Sequence, residues 1–463
     1  MFTCRHLLQL GLIAALLTGC SSAQNRVDPD TQLNAGAQPG TASRGMLADG
    51  SVARVRIGPP PGVGSASTIG SEGGAVLDSE QRSAVAAPDG TMRADVQAFI
   101  QQLSAERGLP APQLTGALAD ARYSPTVARL IAPPPGRKVV RSWITYRSRV
   151  VEPKRIGWGV EFWRENADAL NQAAQRFGVP PAIIVGIIGV ETLYGRNMGN
   201  FRVLDALSTL AFDYPDPSKP ERAQMFRSQL ADFLTLAMQG RLDLQTQGSY
   251  AGAIGMPQFM PGSIMRYAVD GDGSGHIDLT NNPRDAILSV GNFLMEHGWE
   301  RGRPVFAPVA LPPDAGKLVD GGLAPTHTWP QLQAAGATVR GTGMTTGMTR
   351  TSGMDNAWQQ GMLGVIDLPE ESAGTAEYRT GTVNFFALTQ YNHSYFYATS
   401  VADLGAAIQA RMNGVAGWPA EVRPAEGRPA EGRPAEVRPA EAQPAEVLSG
   451  QPVSAQLNTP VDR

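Results

Sequence analysis

The sequence predicts a mainly α-helical fold with a minor β part, an α+β class, on three observations. Between about Met92 and Met412 most segments carry apolar residues at helical spacing. Prolines that open helices and glycines that close them punctuate those segments, as at Pro181 and Gly178. The one Pro/Gly-bounded part of this region without a helical period, about residues 303–365, reads as a small strand-containing insert. Composition sets the frame. The 463 residues include 52 Gly and 36 Pro, about a fifth of the chain against roughly 12% on average. A net charge of −3 and a pI near 6.0 speak against a nucleic-acid surface built on bulk charge. A mean hydropathy of −0.17 and a single long apolar run exclude a polytopic membrane protein. Two Cys and five His leave no material for a zinc cluster or a disulfide scaffold.

Both cysteines fall in the first 20 residues. Arg5 and His6 precede the run Leu7–Leu17, too short to span a bilayer and suited to the apolar region of a signal peptide. The ending Leu16-Leu17-Thr18-Gly19-Cys20, followed by Ser21-Ser22, resembles the lipobox of bacterial lipoproteins. That resemblance implies a signal peptide over 1–19, lipidation of Cys20 and a membrane anchor. Ser21 rather than Asp then points to the periplasmic face of the outer membrane. An ordinary signal peptide is the plainer alternative. Residues 20–91, poor in large apolar side chains, read as a flexible tether.

The folded region then spans 92–412. Ala98, Phe99, Ile100 and Leu103 begin one helix; Leu114, Leu118 and Ala121 mark another. Phe162, Trp163, Ala169, Leu170 and Ala173 predict one longer helix ended by Gly178. Pro181 opens a helix over Ala182–Leu193. Leu204, Leu207, Leu210 and Ala211 continue helically, as do Phe226, Leu230, Phe233, Leu234 and Ala237. Ala286–His297 and Val401–Met412 add two more. Gly341 to Met354 repeats Gly-Met-Thr and reads as a loop insertion. Over 413–463, Pro-Ala-Glu recurs every five residues from Pro424 to Pro444, which blocks a helix and predicts a disordered spacer.

Two segments carry the chemistry. Ile183 to Thr192 is apolar all round, so its helix should be buried, and Glu191 is its one ionisable residue. A carboxyl in low dielectric prefers its neutral form, which lifts its pKa towards the range a general acid needs. A Glu at a helix end reaching solvent beside Arg196 is the alternative. In Ser249 to Pro261, small residues permit close approach of backbone and ligand, while Ser249 and Gln258 offer hydrogen bonds.

A helical Glu followed by Ala-Gly-Ala-x-Gly-x-x-Gln-Phe-Met-Pro resembles the lysozyme-like lytic transglycosylases, in particular their membrane-bound B family, which cleaves peptidoglycan. Gly189-Val190-Glu191-Thr192, Gly195-Arg196, Leu204-Asp205-Ala206-Leu207, Phe212-x-Tyr214-Pro215, Asn384-Phe385 and Tyr391-Asn392-x-Ser394 fit in the family's order. The resemblance covers Phe99 to Gly405. It implies a lysozyme-like helical core with an additional helical region and the small β insert. It makes Glu191 the single acid/base, lines the sugar cleft with Ser249, Gln258, Tyr391, Asn392 and Tyr397, and makes Tyr146 a wall residue. Trp158 and Trp163 could stack on sugars too, but helical Trp is more often core. Where the family has two arginines after Tyr-Pro, only Arg222 is retained.

The same resemblance implies glycan strands as substrate, no cofactor for catalysis, and attack by the sugar's own C6 hydroxyl to close a 1,6-anhydro ring. The residues alone permit hydrolysis equally, with Asp205 or Asp213 as a second carboxylate, or a glycan-binding lipoprotein without catalysis. Membership of a cell-wall synthesis or secretion complex is left open.

Asp270-Gly271-Asp272-Gly273-Ser274-Gly275-His276-Ile277-Asp278 sets oxygen ligands at alternate positions, with Gly275 where an EF-hand turns sharply. Position twelve is Asn281, so the loop departs from the EF-hand; the family's loop takes a later Asp, matched by Asp285. Asp270, Asp272, Ser274, the His276 carbonyl and Asp285 are the expected ligands of a structural calcium ion. A solvated Asp/Gly turn is the alternative.

Overall fold

In the computed structural model, which describes residues 82–132, 140–340 and 356–414, the chain forms fourteen α-helices and three two-stranded antiparallel sheets. Three N-terminal helices, α1 (Ala94–Arg107), α2 (Ala111–Ala119) and α3 (Pro125–Ile131), lead into α4 (Trp143–Val150), α5 (Pro153–Glu165) and α6 (Ala167–Phe177). The next helix, α7 (Pro181–Thr192), has Pro181 in its first turn, and every residue from Ala182 to Val190 is buried. A helix with no polar face must be covered on all sides; α5, α6, α11 (Pro283–Glu296) and α14 (Tyr395–Met412) surround it.

The closest of these packings rests on two glycines. A Cβ on Gly186 would lie 2.6 Å from the Val401 carbonyl oxygen, and one on Gly405 would overlap that of Ala182. Without those side chains, α7 and α14 meet backbone to backbone. Around this centre, α8 (Val203–Phe212) packs on α9 (Pro220–Met238), and α9 on α10 (Pro261–Tyr267). The short β1 (Phe201–Arg202) and β2 (Gln247–Gly248) pair beside them. No single described helix is long and apolar enough to cross a membrane; α6 and α7, apolar enough as a pair, meet at 115° inside the core.

The β part is larger than expected. Val309–Ala310 (β3) pairs with Thr338–Val339 (β4), flanking α12 (Trp329–Ala334). The main hairpin, β5 (Leu363–Glu370) with β6 (Thr375–Thr382), runs beyond the predicted end at residue 365 and leads into α13 (Val383–Tyr391). Trp329 and Trp358 pack edge to face with Leu332, Leu363 and Val365 in a second, smaller core.

Three further boundaries differ from the sequence reading. The expected single helix through Phe162 and Leu170 is two, because Asn166 leaves helical geometry (φ −116°, ψ 24°) and its Nδ2 donates to the Phe162 carbonyl. The last helix starts at Tyr395, six residues before Val401, with Ser394 accepting the Tyr397 amide as its cap. The folded part begins earlier than Met92: Ala84 and Val85 are buried, Ser83 bridges Arg122 and Ala86 bridges Met92. Cys20, the tether up to residue 81, the 341–354 insertion and the repeat tail after 414 lie outside the described residues.

Candidate active site

Glu191 occupies the last turn of α7, where the chain turns sharply through Leu193 (φ 53°), Tyr194 (φ 61°) and Gly195 (φ 80°). Tyr397, fully buried in the first turn of α14, donates its phenol hydrogen to Glu191 Oε1 at 2.6 Å. The Tyr397 ring stacks on Tyr391 at 6.2 Å, and Tyr391 donates to the Pro257 carbonyl at 2.5 Å. Thr192, also buried, donates to the Met256 carbonyl at 2.9 Å and accepts from the Gly195 amide. The end of α7 is thus tied twice to the 249–261 segment, once directly and once through two stacked tyrosines.

That segment folds back on itself. Ser249 Oγ accepts the Ala253 amide, and Gln258, in the left-handed region (φ 52°), donates from Nε2 to the Gly255 and Met198 carbonyls. Gly255 is required here twice over. Its φ is +72°, and a Cβ would run into the Leu279 carbonyl oxygen.

Burial raises the Glu191 pKa to about 8, against a smaller opposing effect of the Tyr397 hydrogen bond, which favours the ionised form. Glu191 is only half-buried by exposed surface. Protein surrounds the carboxyl on most sides while part of the residue still touches solvent. No other carboxylate figures among the causes of the shift. Tyr146, on α4, is raised first by burial and then by the Glu191 charge, which places its phenol near that carboxyl. Its ring lies against Trp143 and Phe396, and it lines a pocket of about 730 Å³ with Thr145, Arg149, His393 and Tyr395. Glu191 is not among the residues that line this pocket; Tyr146 is.

The predicted site residues divide accordingly. Glu191, Tyr397 and Tyr146 come together. Tyr391, Asn392 and Tyr397, expected to line an open cleft, are at most 3% exposed. They sit behind Glu191 because α13 and the start of α14 run through the core. Arg222, in the first turn of α9, has Nε 3.5 Å from the Tyr214 hydroxyl. Asp205 accepts the Arg122 amide and pairs with Arg202, while Asp213 pairs with Arg93 and Arg82. Thr192 and Tyr194 stood beside Glu191 in the sequence, but the anchoring of Thr192 to Met256 and the packing of the Tyr194 hydroxyl against Gly159 depend on long-range partners that no local pattern reveals.

In the acidic loop, oxygens of Asp270, Asp272 and Asp285 lie within 4.8 Å of one another. Asp285 is fully buried and accepts the Gly271 and Asp278 amides; burial raises its pKa, and the charges of Asp272 and Asp270 add to the rise. Ser274 Oγ donates to the His276 carbonyl in the same loop. Gly275 has φ +83°, and Ile277 packs against the core, both as expected. Three convergent carboxylates with only oxygen donors fit a hard cation such as calcium.

A helix-surrounded α7 ending in a buried acid held by tyrosines defines a class of lysozyme-like helical enzymes. The family described as Transglycosylase SLT domain matches residues 91–406, and the chain belongs to that family. Membrane-bound lytic murein transglycosylase B of Escherichia coli (strain K12) is 37% identical over 347 residues, covering 73% of this chain and 88% of that protein. The solved structure of Escherichia coli lytic transglycosylase Slt35 in complex with calcium is 35% identical, with a TM-score of 0.58, covering 73% of this chain and 98% of that one. SltB3 from Pseudomonas aeruginosa, in complex with NAG-anhNAM-pentapeptide, is 29% identical with a TM-score of 0.55, covering 71% of this chain and 82% of that one.

Proposed function

We propose that this lytic transglycosylase cleaves the β-1,4 bond between N-acetylmuramic acid and N-acetylglucosamine in peptidoglycan, with Glu191 as its only acid/base. The observation that carries this is the Glu191 carboxyl itself, raised to about 8 by burial and bonded to Tyr397. At neutral pH such a group is protonated and can donate to the glycosidic oxygen as the C1–O4 bond breaks. The 2-acetamido oxygen of the muramic residue stabilises the positive C1. Tyr397 then holds the new carboxylate. That carboxylate takes the proton from the C6 hydroxyl as O6 bonds C1, closing the anhydro ring with no water consumed. Hydrolysis would need a second carboxylate to activate water, and Asp205 and Asp213 are engaged with arginines. SltB3, a relative, has been solved with an anhydro-muramyl ligand. Tyr146, Ser249 and Gln258 contact glycan in this reading; Tyr391 and Asn392 support Tyr397 from behind.

Calcium at Asp270, Asp272 and Asp285, with Ser274 and the His276 carbonyl completing the shell, holds the loop that follows the 249–261 segment. Its part is structural. Residues 1–19 act as signal peptide, and Cys20 carries the lipid that tethers the enzyme to the periplasmic face of the outer membrane. Residues 20–81 then serve as tether and the tail after 414 as spacer.

The test is mass spectrometry of soluble products from purified sacculi. Wild-type protein should release muropeptides one water lighter than hydrolytic products, and Glu191→Gln none. Reducing-end products would mean that water enters and that a further group activates it.

A further inference from the structure

The chain just beyond Glu191 is held in a conformation that its residues disfavour. Among the described residues only three other than glycine have φ in the left-handed region: Leu193 (φ 53°), Tyr194 (φ 61°) and Gln258 (φ 52°). Two of them follow the acid directly, and the third lies in the 249–261 segment to which the end of α7 is tied. With Gly195 (φ 80°), Leu193 and Tyr194 make three consecutive left-handed residues, starting two positions after Glu191. A bulky side chain crowds its own carbonyl there, and neither leucine nor tyrosine has the short polar group that eases this conformation for Asn and Asp. Such residues persist only where the surrounding structure leaves them no alternative.

The contacts that hold the turn come from two directions. Thr192 donates to the Met256 carbonyl and accepts the Gly195 amide, while its own carbonyl accepts the Asn197 amide. Gln258 donates to the Met198 carbonyl just past the turn. These bonds fix the turn to the 249–261 segment. Tyr194 fixes it to the helices. Its side chain, only 6% exposed, folds back along α7 and enters the seam between α7 and α5, where a glycine on each helix makes room. A Cβ on Gly189 of α7 would overlap the Tyr194 hydroxyl and lie 2.6 Å from its Cζ. One on Gly159 of α5 would lie 2.5 Å from that hydroxyl and 2.5 Å from Cδ1 of Ile408 on α14. The Phe162 ring of α5 packs on the Tyr194 ring at 5.4 Å.

Relaxing Leu193 and Tyr194 to right-handed values would run α7 on past Thr192 and draw Thr192 away from Met256. We propose that Tyr194 is a positioning residue for Glu191: wedged between α5 and α7, it keeps the left-handed turn from relaxing and so holds the acid in register with the 249–261 segment. It acts through the turn, not by contact with glycan. This rests on Glu191 being the acid/base of glycan cleavage.

Steady-state kinetics of the full-length protein on soluble glycan strands, scored as anhydro products, test it. Tyr194→Leu should lower kcat about tenfold or more with KM held within about twofold, since displacing a catalytic group by about 1 Å can cost up to a hundredfold. A loosened turn also admits water to the Glu191 carboxyl, so the alkaline limb of the pH profile should move down by about half a unit or more. Tyr194→Phe keeps the ring in the seam and should recover most of kcat. Gly189→Ala favours α7 on helix propensity, yet it should lower kcat about tenfold by driving the ring out. Joined to Tyr194→Leu it should add nothing, whereas independent effects would multiply to about a hundredfold. Thermal melts set the assay temperature below every transition; if Tyr194→Leu does not fold, the kcat and pH limb of Gly189→Ala decide. Unchanged kcat and limb in folded variants, a risen KM with kcat intact, or multiplying effects would overturn the proposal. Failure of the glycan-cleaving reading shows separately, as wild-type protein that releases no anhydro products or Glu191→Gln protein that still does.

Discussion

At Glu191 two influences oppose each other: burial favours the protonated carboxyl and the Tyr397 hydroxyl favours the ionised one. Burial wins, so the resting acid is protonated until the pH approaches 8. Activity should therefore fall as pH rises through about 8, which a pH–rate profile of kcat/KM on soluble glycan checks. Stability follows the same sign. Between the ordinary carboxylate value and 8 the folded state holds a proton that the unfolded state has lost, so stability declines as pH rises across that window. Glu191→Gln should flatten the decline, by an amount on the order of a few kcal/mol. Tyr397→Phe removes a charge-assisted bond worth roughly 1.5–3 kcal/mol, so activity should drop about 10- to 100-fold. The alkaline limb should move upward, since the remaining effect on Glu191 is burial alone. An unmoved limb would mean that Tyr397 does not touch the titrating group. The importance of Glu191 was legible because a lone acid in an apolar helix is conspicuous; that Tyr391 and Tyr397 sit behind it was not, because one residue's burial depends on what the rest of the chain places over it.

Helices that carry site residues are held by particular contacts. The reciprocal glycines at 186 and 405 let α14 approach α7 closely enough for Tyr397 to reach Glu191. Gly405→Val should cost about 1–3 kcal/mol, read from the urea midpoint, and should lower activity at temperatures where the protein stays folded. A second contact fixes α4 and its Tyr146. Asp403 on α14, buried, accepts from Arg147 Nε at 2.7 Å and from Arg379 Nη1 at 2.7 Å. Asp403→Ala leaves two arginines without their shared carboxylate, and a loss of about 3–5 kcal/mol is expected in chemical denaturation. Long helices were readable from their apolar period, α7 most clearly. Among the shorter ones α2 was read, while α3, α4, α10, α12 and α13 escaped because six to nine residues give too few turns for a period, and the break at Asn166 escaped because the apolar stripe runs on through it. The β5–β6 hairpin was missed because Thr375–Thr382 is polar and its partner contains Gly364 and Pro369.

Over the whole molecule, one large core built around α7 carries the candidate catalytic residues, and a smaller core around Trp329 and Trp358 supports the β part. The acidic loop adds a third source of order, since Asp285 is fully buried beside Asp270 and Asp272. Chelator treatment should lower the melting temperature by several degrees, and calcium should restore it in wild type but not in Asp285→Asn. An unchanged melt would leave the loop a plain acidic turn. The acidic loop was legible because its ligands are local in sequence; the extra folded residues before Met92 were not, since the segment is short and one of its anchors, the Ala84 amide on the Ala121 carbonyl, lies far along the chain. The central claim, that one carboxyl and the sugar's own hydroxyl suffice, is tested most directly by digesting sacculi in water enriched in heavy oxygen. The account predicts soluble products that carry no heavy oxygen at the cleaved muramic end. Heavy oxygen incorporated at C1 would contradict it.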